Sequence, residues 1–171
     1  EDWANFKDQY PFGQLPVMYY KDNVYCHTHS LATFCATKSN LYSNCEQKQI
    51  VIHQVIDWAN EITYRIAHSI REKNPDKSKK LRRVFIEKDF YTWFGYLEEF
   101  FKKNSNNSFF IGELSIADIT AWRVTRWFLS GNLEQIDTKF IEKFPNLKNF
   151  YEKFSLNKNF KDLQEFKEVM N

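Results

Sequence analysis

One long run of regularly spaced apolar residues constrains the fold more than any other feature of the chain. The spacing of three or four residues places these side chains on a single face of an α-helix. The run consists of Ile52, Val55, Ala59, Ile62, Ile66 and Ile70. It predicts one amphipathic helix over residues 46–73, which ends at Asn74 because a residue followed by proline avoids the α conformation. A chain organised around such a helix is mainly α.

The part of the chain after this helix is predicted to be helical as well. One helix spans the aromatic-rich residues 90–101 and stops in the polar stretch 104–108. Another helix runs from Ser115 to about residue 130, where Gly131 closes it. Two short helices follow Pro145. Their apolar faces use Leu147, Phe150, Tyr151 and Phe154 in the first, and Phe160, Leu163 and Phe166 in the second.

The first 41 residues have a different character. Residues 17–20 and 24–26 are rich in β-forming side chains and are joined by a polar turn, which predicts a hairpin. A helix through Ser39 follows, with Thr28 or Ser30 as its N-cap. A short polar linker then leads into the long helix.

Composition excludes several classes of protein. Only four glycines and four prolines occur among 171 residues, which argues against a turn-rich all-β fold. A net charge of +2 gives no reason to expect nucleic acid or a membrane as a partner.

The basic stretch at residues 77–83 is interpreted as a solvated loop and helix start. No apolar run approaches the ~20 residues that cross a bilayer, and three loosely spaced cysteines indicate reduced thiols in a cytosol.

Residues 115–118 form a capping-box pattern. The Asp118 carboxylate can accept from the Ser115 N–H, and the Ser115 hydroxyl can accept from the Asp118 N–H. Leu114 and Ile119 have the spacing of a hydrophobic staple. These devices fix the start of a core helix, and a structural role for Asp118 is favoured over that of a catalytic acid.

Two further features leave alternatives open. The Leu15–Pro16 bond precedes a strand and is either cis, which frees the preceding backbone to pair with a peptide, or an ordinary trans bond. Cys26, His27 and His29 cluster as possible metal ligands, but no companion pair lies at zinc-ligand spacing, so no metal is expected. His53 and His68 are interpreted as surface or packed side chains.

Several motifs occur in an order that resembles the glutathione transferases, most closely the sigma-like class. Residues 11–17, Pro-Phe-Gly-Gln-Leu-Pro-Val, resemble the second half of that family's thioredoxin-like domain. Residues 112–118 and 144–148 resemble segments of its helical domain. The resemblance implies a partial thioredoxin-like α/β domain at residues 1–41, followed by an all-helical C-terminal domain at residues 45–171. It also implies a cytoplasmic, homodimeric detoxification enzyme that uses glutathione as co-substrate with a small electrophile.

The resemblance assigns roles residue by residue. Trp3 and Lys7 match the positions that hold the glycyl carboxylate of glutathione. The segment Gln14-Leu15-Pro16 matches the cis-proline edge, where the backbone of the residue before proline pairs with the cysteinyl unit. His27 and Thr28 stand where the family has a Gln-Ser pair that holds the γ-glutamyl carboxylate.

The resemblance assigns no catalytic residue in this chain. In the family, the Tyr or Ser that stabilises the thiolate lies in an N-terminal part with no counterpart in this chain, so a non-catalytic binding or assembly module is the alternative function. The family's partner subunit can also supply an acidic residue from its long helix. Asp57 and Glu61 both fit that position. Trp122 and Trp127 are possible lining residues for an electrophile pocket, although core packing is the favoured role of such aromatics.

Overall fold

The computed structural model describes residues 3–106 and 108–156. Three single-turn 3₁₀ helices, at Trp3–Asn5, Lys7–Gln9 and Pro11–Gly13, form an irregular N-terminal loop. Strands β1 (Val17–Tyr20) and β2 (Asn23–Cys26) then pair antiparallel, as the sequence predicts, with Val17 opposite Cys26.

Helices make up most of the remaining described structure. They are α1 (Thr28–Lys38), α2 (Glu46–Arg71), α3 (Pro75–Phe85), α4 (Tyr91–Asn104), α5 (Ile116–Leu129) and α6 (Pro145–Ser155). The predicted helix with Phe160, Leu163 and Phe166 lies outside the described residues. A mainly helical chain with a partial thioredoxin-like α/β segment is therefore confirmed. Among the helices described, none combines the length and apolar character that crossing a membrane would require.

The long helix α2 is confirmed within two residues of its predicted end. It buries the face formed by Ile52, Val55, Ile56, Trp58, Ala59, Ile62, Ile66 and Ser69. Ile70, which the periodicity also assigned to this face, is 47% exposed. The burial shows that α2 is the central support against which α3 and α5 pack.

The segment between α2 and α4 is more helical than its prediction as a solvated loop and helix start. Asn74 caps α3 by accepting from the Lys77 N–H at 3.0 Å, and Pro75 occupies the first helical turn. The chain therefore starts a new helix at once, and a π-helical turn at Ile86–Phe90 carries it into α4. Arg82 of the basic stretch is buried rather than solvated, with its Nε donating to the Ser69 hydroxyl at 3.0 Å.

The core of the helical part is built from aromatic rings. Phe94 is fully buried in α4, with ring centroids 4.6–5.9 Å from its neighbours. These neighbours are Trp58, Phe90, Phe128, Phe140 and Phe144. Trp122 is also buried, and its Nε1 donates to the Ser155 hydroxyl at 2.8 Å, so it packs in the core as favoured above.

Helix α5 begins at the predicted capping box. The Asp118 carboxylate accepts from the Ser115 N–H at 2.8 Å and from the Phe110 N–H at 2.9 Å. The Ser115 hydroxyl donates to the same carboxylate at 2.8 Å. Asp118 has no exposed surface, so these contacts place it in a structural position.

A second buried carboxylate caps α6 from another helix. Glu98 of α4 accepts from the backbone N–H groups of Asn146 and Leu147 at 2.9 and 2.8 Å, and from the Asn146 side-chain amide at 2.6 Å. Such donors have no intrahelical acceptor in the first turn. The carboxylate therefore fixes α6 against α4.

Replacing Glu98 with alanine is expected to lower the free energy of unfolding by about 2–3 kcal/mol, because it removes the acceptor from three donors at a part-buried helix end. Urea unfolding followed by circular dichroism measures the change. Glu99→Ala, one residue along α4 and exposed, is the control and is expected to change stability by less than about 0.5 kcal/mol. Equal effects of the two substitutions would contradict the capping role.

Candidate functional site

The N-terminus of α1 is open to solvent. His27 precedes the helix with φ 71° and ψ 119°, and no side chain caps the helix end. The predicted N-caps Thr28 and Ser30 are thus wrong: His27 already makes the turn into the helix, and Thr28 is its first residue. The first-turn N–H groups have no intrahelical acceptor. Together with the positive end of the helix dipole, they suit a carboxylate.

The Leu15–Pro16 peptide bond is cis, which decides the alternative left open by the sequence. Leu15 is 60% exposed and is separated from the start of strand β1 at Val17 by Pro16 alone. Gln14 before it is extended, with φ −137° and ψ 152°. Within the described residues, the backbone N–H and C=O of Leu15 form no hydrogen bond with another backbone group. This short edge is therefore available to an extended peptide.

Trp3 and Lys7 lie in the exposed N-terminal loop. Trp3 stacks on Tyr10, with ring centroids 6.0 Å apart and planes inclined by 10°. Tyr10 in turn hydrogen-bonds to Tyr19 of β1, which raises the pKa of the Tyr19 hydroxyl. Gly13 has φ +57°, and a Cβ there would lie 3.6 Å from the Lys7 carbonyl oxygen. The hydrogen bond between Tyr10 and Tyr19 ties the loop to the hairpin.

Of the predicted residues, His27 contacts an aromatic ring of the N-terminal loop. Its ring centroid lies 4.7 Å from that of Phe12, and both rings line a groove of about 340 Å³. Phe12 itself is 76% exposed with φ 56°. Among the described residues, no hydrogen bond or ring contact joins Trp3 or Lys7 to Thr28. All seven candidate residues are exposed, and the described contacts do not link the N-terminal loop to the start of α1 through Trp3 or Lys7.

Sequence reasoning missed a chain of hydrogen bonds behind this surface. It runs from Tyr42 through His53 and His29 to Asp57, and each step measures 2.7 Å. The four residues come from α1, the linker after it and α2, and His53 and Asp57 lie one turn apart on α2, so only the packing of α1 on α2 reveals the whole chain of bonds. Asp57 and Glu61, the two acidic residues considered for the partner-subunit contact, both have partners within the chain. Asp57 pairs with His29, and the Glu61 carboxylate lies 3.9 Å from the Arg65 guanidinium. His68 is exposed beside Tyr64.

The cysteine thiols and the residues considered as metal ligands all have defined surroundings in the structure. Cys26, Cys35 and Cys45 are all free, and Cys26 is buried. The described residues contain no group of three His, Cys, Asp or Glu side chains placed to hold a metal ion. His29, considered above as a ligand, directs both ring nitrogens to Asp57 and His53.

Comparison with known proteins agrees with the resemblance drawn from the motifs. The family model described as "Glutathione S-transferase, C-terminal domain" matches residues 60–165, more than half of the chain. The chain belongs to the glutathione S-transferase family. Two Caenorhabditis elegans relatives are "Probable glutathione S-transferase 8", 28% identical over 94% of this chain and 77% of the relative, and "Probable glutathione S-transferase 7", 26% identical over 99% and 81%.

Solved structures show the same fold as this chain. Prostaglandin synthase D of Nilaparvata lugens matches with a TM-score of 0.80 and 22% identity, over 96% of this chain and 80% of that one. A pi-class glutathione S-transferase of Onchocerca volvulus matches with a TM-score of 0.80 and 19% identity, over 98% and 77%. At these identities the comparison establishes the shared fold, and the site rests on the residues themselves.

Proposed function

We propose that this protein binds glutathione and, as the full-length gene product, transfers the glutathione thiolate to a small electrophile in the cytosol. Two features of the N-terminal part support the proposal. One is the uncapped N-terminus of α1, and the other is the backbone edge at Leu15, which forms no hydrogen bond with another described backbone group. They suit, respectively, the carboxylate and the extended backbone of a short acidic peptide.

We assign each candidate residue to one of the three units of glutathione, which are γ-glutamyl, cysteinyl and glycyl. We assign the γ-glutamyl carboxylate to the first turn of α1, with the Thr28 hydroxyl and His27 as side-chain donors. The backbone of Leu15, between Gln14 and Pro16, pairs with the cysteinyl unit. The glycyl carboxylate is assigned to Trp3 and Lys7, whose exposed side chains offer an indole N–H and an ammonium group. Residues 1–41 thus form the glutathione-binding part, and residues 45–171 the helical domain.

The proposed reaction is a nucleophilic displacement. The sulfur of glutathione, deprotonated to the thiolate, forms a bond to the electrophilic carbon while the leaving group departs with its electron pair. This chain contributes by binding and orienting the tripeptide, since a fixed geometry replaces a random encounter. The electrophile is assigned to the aromatic helical domain, where Trp127 of α5 is half-buried.

Isothermal titration of the full-length protein with glutathione tests binding, and an assay with an aromatic halide as electrophile tests transfer. We expect saturable binding and glutathione-dependent release of halide. Absence of both binding and turnover would overturn the proposal. Saturable binding without turnover on any electrophile would instead support the non-catalytic binding module.

We also propose that the protein is a homodimer. The support is a set of aromatic side chains that remain exposed in the single chain: Phe12 is 76% exposed, Tyr64 65% and Tyr96 62%. Phe12 lies in a tight turn, and the other two lie on α2 and α4. Exposed aromatics of this kind are enriched in protein–protein interfaces.

Replacing Phe12 with alanine is expected to weaken dimerisation about tenfold to hundredfold, because burial of a phenylalanine side chain contributes about 1.5–3 kcal/mol. Sedimentation equilibrium over a range of concentrations measures the dissociation constant. Leu156→Ala, at a residue that is 75% exposed, is the control and is expected to have no effect. A native protein that stays monomeric would contradict the dimer, and an unchanged constant in Phe12→Ala would remove Phe12 from the interface.

A further inference from the structure

The hydrogen-bonded chain between α1 and α2, here called the histidine relay, consists of Tyr42, His53, His29 and Asp57. The Tyr42 hydroxyl meets His53 Nε2, His53 Nδ1 meets His29 Nε2, and His29 Nδ1 meets Asp57 Oδ1, each at 2.7 Å. His53 and Asp57 lie one turn apart on α2, and His29 is the second residue of α1. The relay therefore connects the candidate glutathione surface to the helical domain.

The ionised carboxylate of Asp57 gives the relay one direction. A carboxylate only accepts, so His29 Nδ1 carries the proton, and a neutral His29 then accepts at Nε2. His53 must donate from Nδ1, which leaves its Nε2 to accept from the Tyr42 hydroxyl. Every step has one donor and one acceptor with both imidazoles neutral. Each histidine is thus held in a single ring orientation.

The relay has few alternatives for holding α1 in place. In the described part of the chain, the contacts of His29 with His53 and Asp57 are the side-chain hydrogen bonds that join α1 to the helices after it. The backbone bond from the Ile116 N–H to the Leu41 carbonyl, at 2.9 Å, acts beyond the far end of α1. Packing on β2, α2 and α5 also holds α1, and His29 adds the described side-chain hydrogen bonds at its first turn.

We propose that His29 and His53 are positioning residues that fix the first turn of α1 for the γ-glutamyl end of glutathione. This inference rests on the proposed function. His29 directly follows Thr28, so a rotation of α1 moves the donors of that turn as a unit. Binding donors are effective when their own supports hold them within a fraction of an ångström, and a misplacement of about 1 Å can cost a factor of a hundred.

The substitution His53→Leu removes the centre of the relay and is expected to raise the dissociation constant of glutathione about tenfold. His53→Asn keeps an N–H near the position of Nδ1 that can donate to His29, and it is expected to recover most of the affinity. His68→Leu makes the same change at an exposed position on the same helix and is the matched control. Circular dichroism establishes that each variant is folded at the temperature of titration.

Cysteinylglycine separates positioning from a general loss of structure. This dipeptide lacks the γ-glutamyl group, so His53→Leu is expected to leave its dissociation constant unchanged, at the millimolar concentrations such a fragment needs. Nitrogen-15 NMR of the native protein is expected to show both rings neutral at pH 8, each protonated at Nδ1. Observation of the opposite tautomer would overturn the relay.

The outcomes of the titration distinguish this inference from the function on which it rests. If the native protein binds no glutathione, the proposed function falls and this inference falls with it. If the native protein binds and His53→Leu binds equally well, only the positioning role is overturned. Equal losses for glutathione and cysteinylglycine would likewise overturn it, because they would mark a general effect on the fold.

Discussion

Replacing Asp118 with asparagine is expected to lower the free energy of unfolding by about 2–4 kcal/mol. The buried carboxylate accepts from the Phe110 N–H, the Ser115 N–H and the Ser115 hydroxyl. Asparagine keeps one oxygen and replaces the other with an NH₂ group, which would face at least one of these donors in either orientation of the amide. Buried donors left without an acceptor cost about 1–3 kcal/mol each, and a lost helix cap costs about 1 kcal/mol.

Urea unfolding at pH 7, followed by tryptophan fluorescence, measures this change. Asp76→Asn is the control: Asp76 also lies in the first turn of a helix but is exposed, so the expected change is within about 0.5 kcal/mol. A stability loss for Asp118→Asn as small as that of the control would show that the carboxylate does not secure the start of α5.

The same carboxyl group predicts a pH dependence. Burial raises the pKa of Asp118 from 3.8 to about 6, against the opposing effect of its hydrogen bonds. The folded state therefore binds the proton more tightly than the unfolded chain does. The proton-linked part of the stability that Asp118 contributes is fully present below about pH 4 and is lost as the pH rises through about 6, while its hydrogen bonds to Phe110 and Ser115 remain at pH 7. The stability gap between the native protein and Asp118→Asn is expected to be larger at pH 4 than at pH 7.

Replacing Thr28 with valine is expected to weaken glutathione binding about tenfold to hundredfold. The two side chains have nearly the same shape, so the change removes the hydroxyl and leaves the backbone of α1 in place. A hydrogen bond to a charged group contributes about 1.5–3 kcal/mol, and 1.4 kcal/mol corresponds to a factor of ten. Thr28 is exposed at the first position of α1, where the proposed γ-glutamyl carboxylate would lie.

Isothermal titration with glutathione measures the effect. Thr37→Val is the matched control, because Thr37 lies in the last turn of the same helix and its hydroxyl donates to the Phe34 carbonyl. The control is expected to bind glutathione as the native protein does. If Thr28→Val also kept its affinity, the γ-glutamyl carboxylate would have to be held elsewhere.

Local sequence chemistry was sufficient to predict most helices and the hairpin. The period of α2 and the serine and aspartate at the start of α5 are signals contained within a few residues. Pro75 shows the limit of such signals. Helix α2 ends at Arg71, ahead of the end predicted from Pro75, and Pro75 together with Asn74 starts α3, since proline is favoured in the first turn of a helix. The basic stretch, interpreted as a solvated loop and helix start, is consequently helical throughout residues 77–83.

Features that depend on distant partners could not be predicted. Arg82 is buried because Ser69 and the Glu134 carbonyl, from other parts of the chain, accept its hydrogen bonds. The histidine relay likewise combines residues from α1, the linker and α2. No spacing within one segment encodes such contacts. The candidate glutathione residues came from the resemblance to the family, and their assigned roles stay predictions.

The most direct measurement is an amide NMR titration of this chain with glutathione. The binding surface described above predicts saturable shifts concentrated at the Leu15 N–H and at the first-turn amides of α1, Thr28 to Ser30. The chemical shifts of the exposed α2 amides near Tyr64 and His68 are expected to stay unchanged. An unchanged spectrum, or shifts confined to that outward face, would contradict a glutathione site at the cis-proline edge and the start of α1.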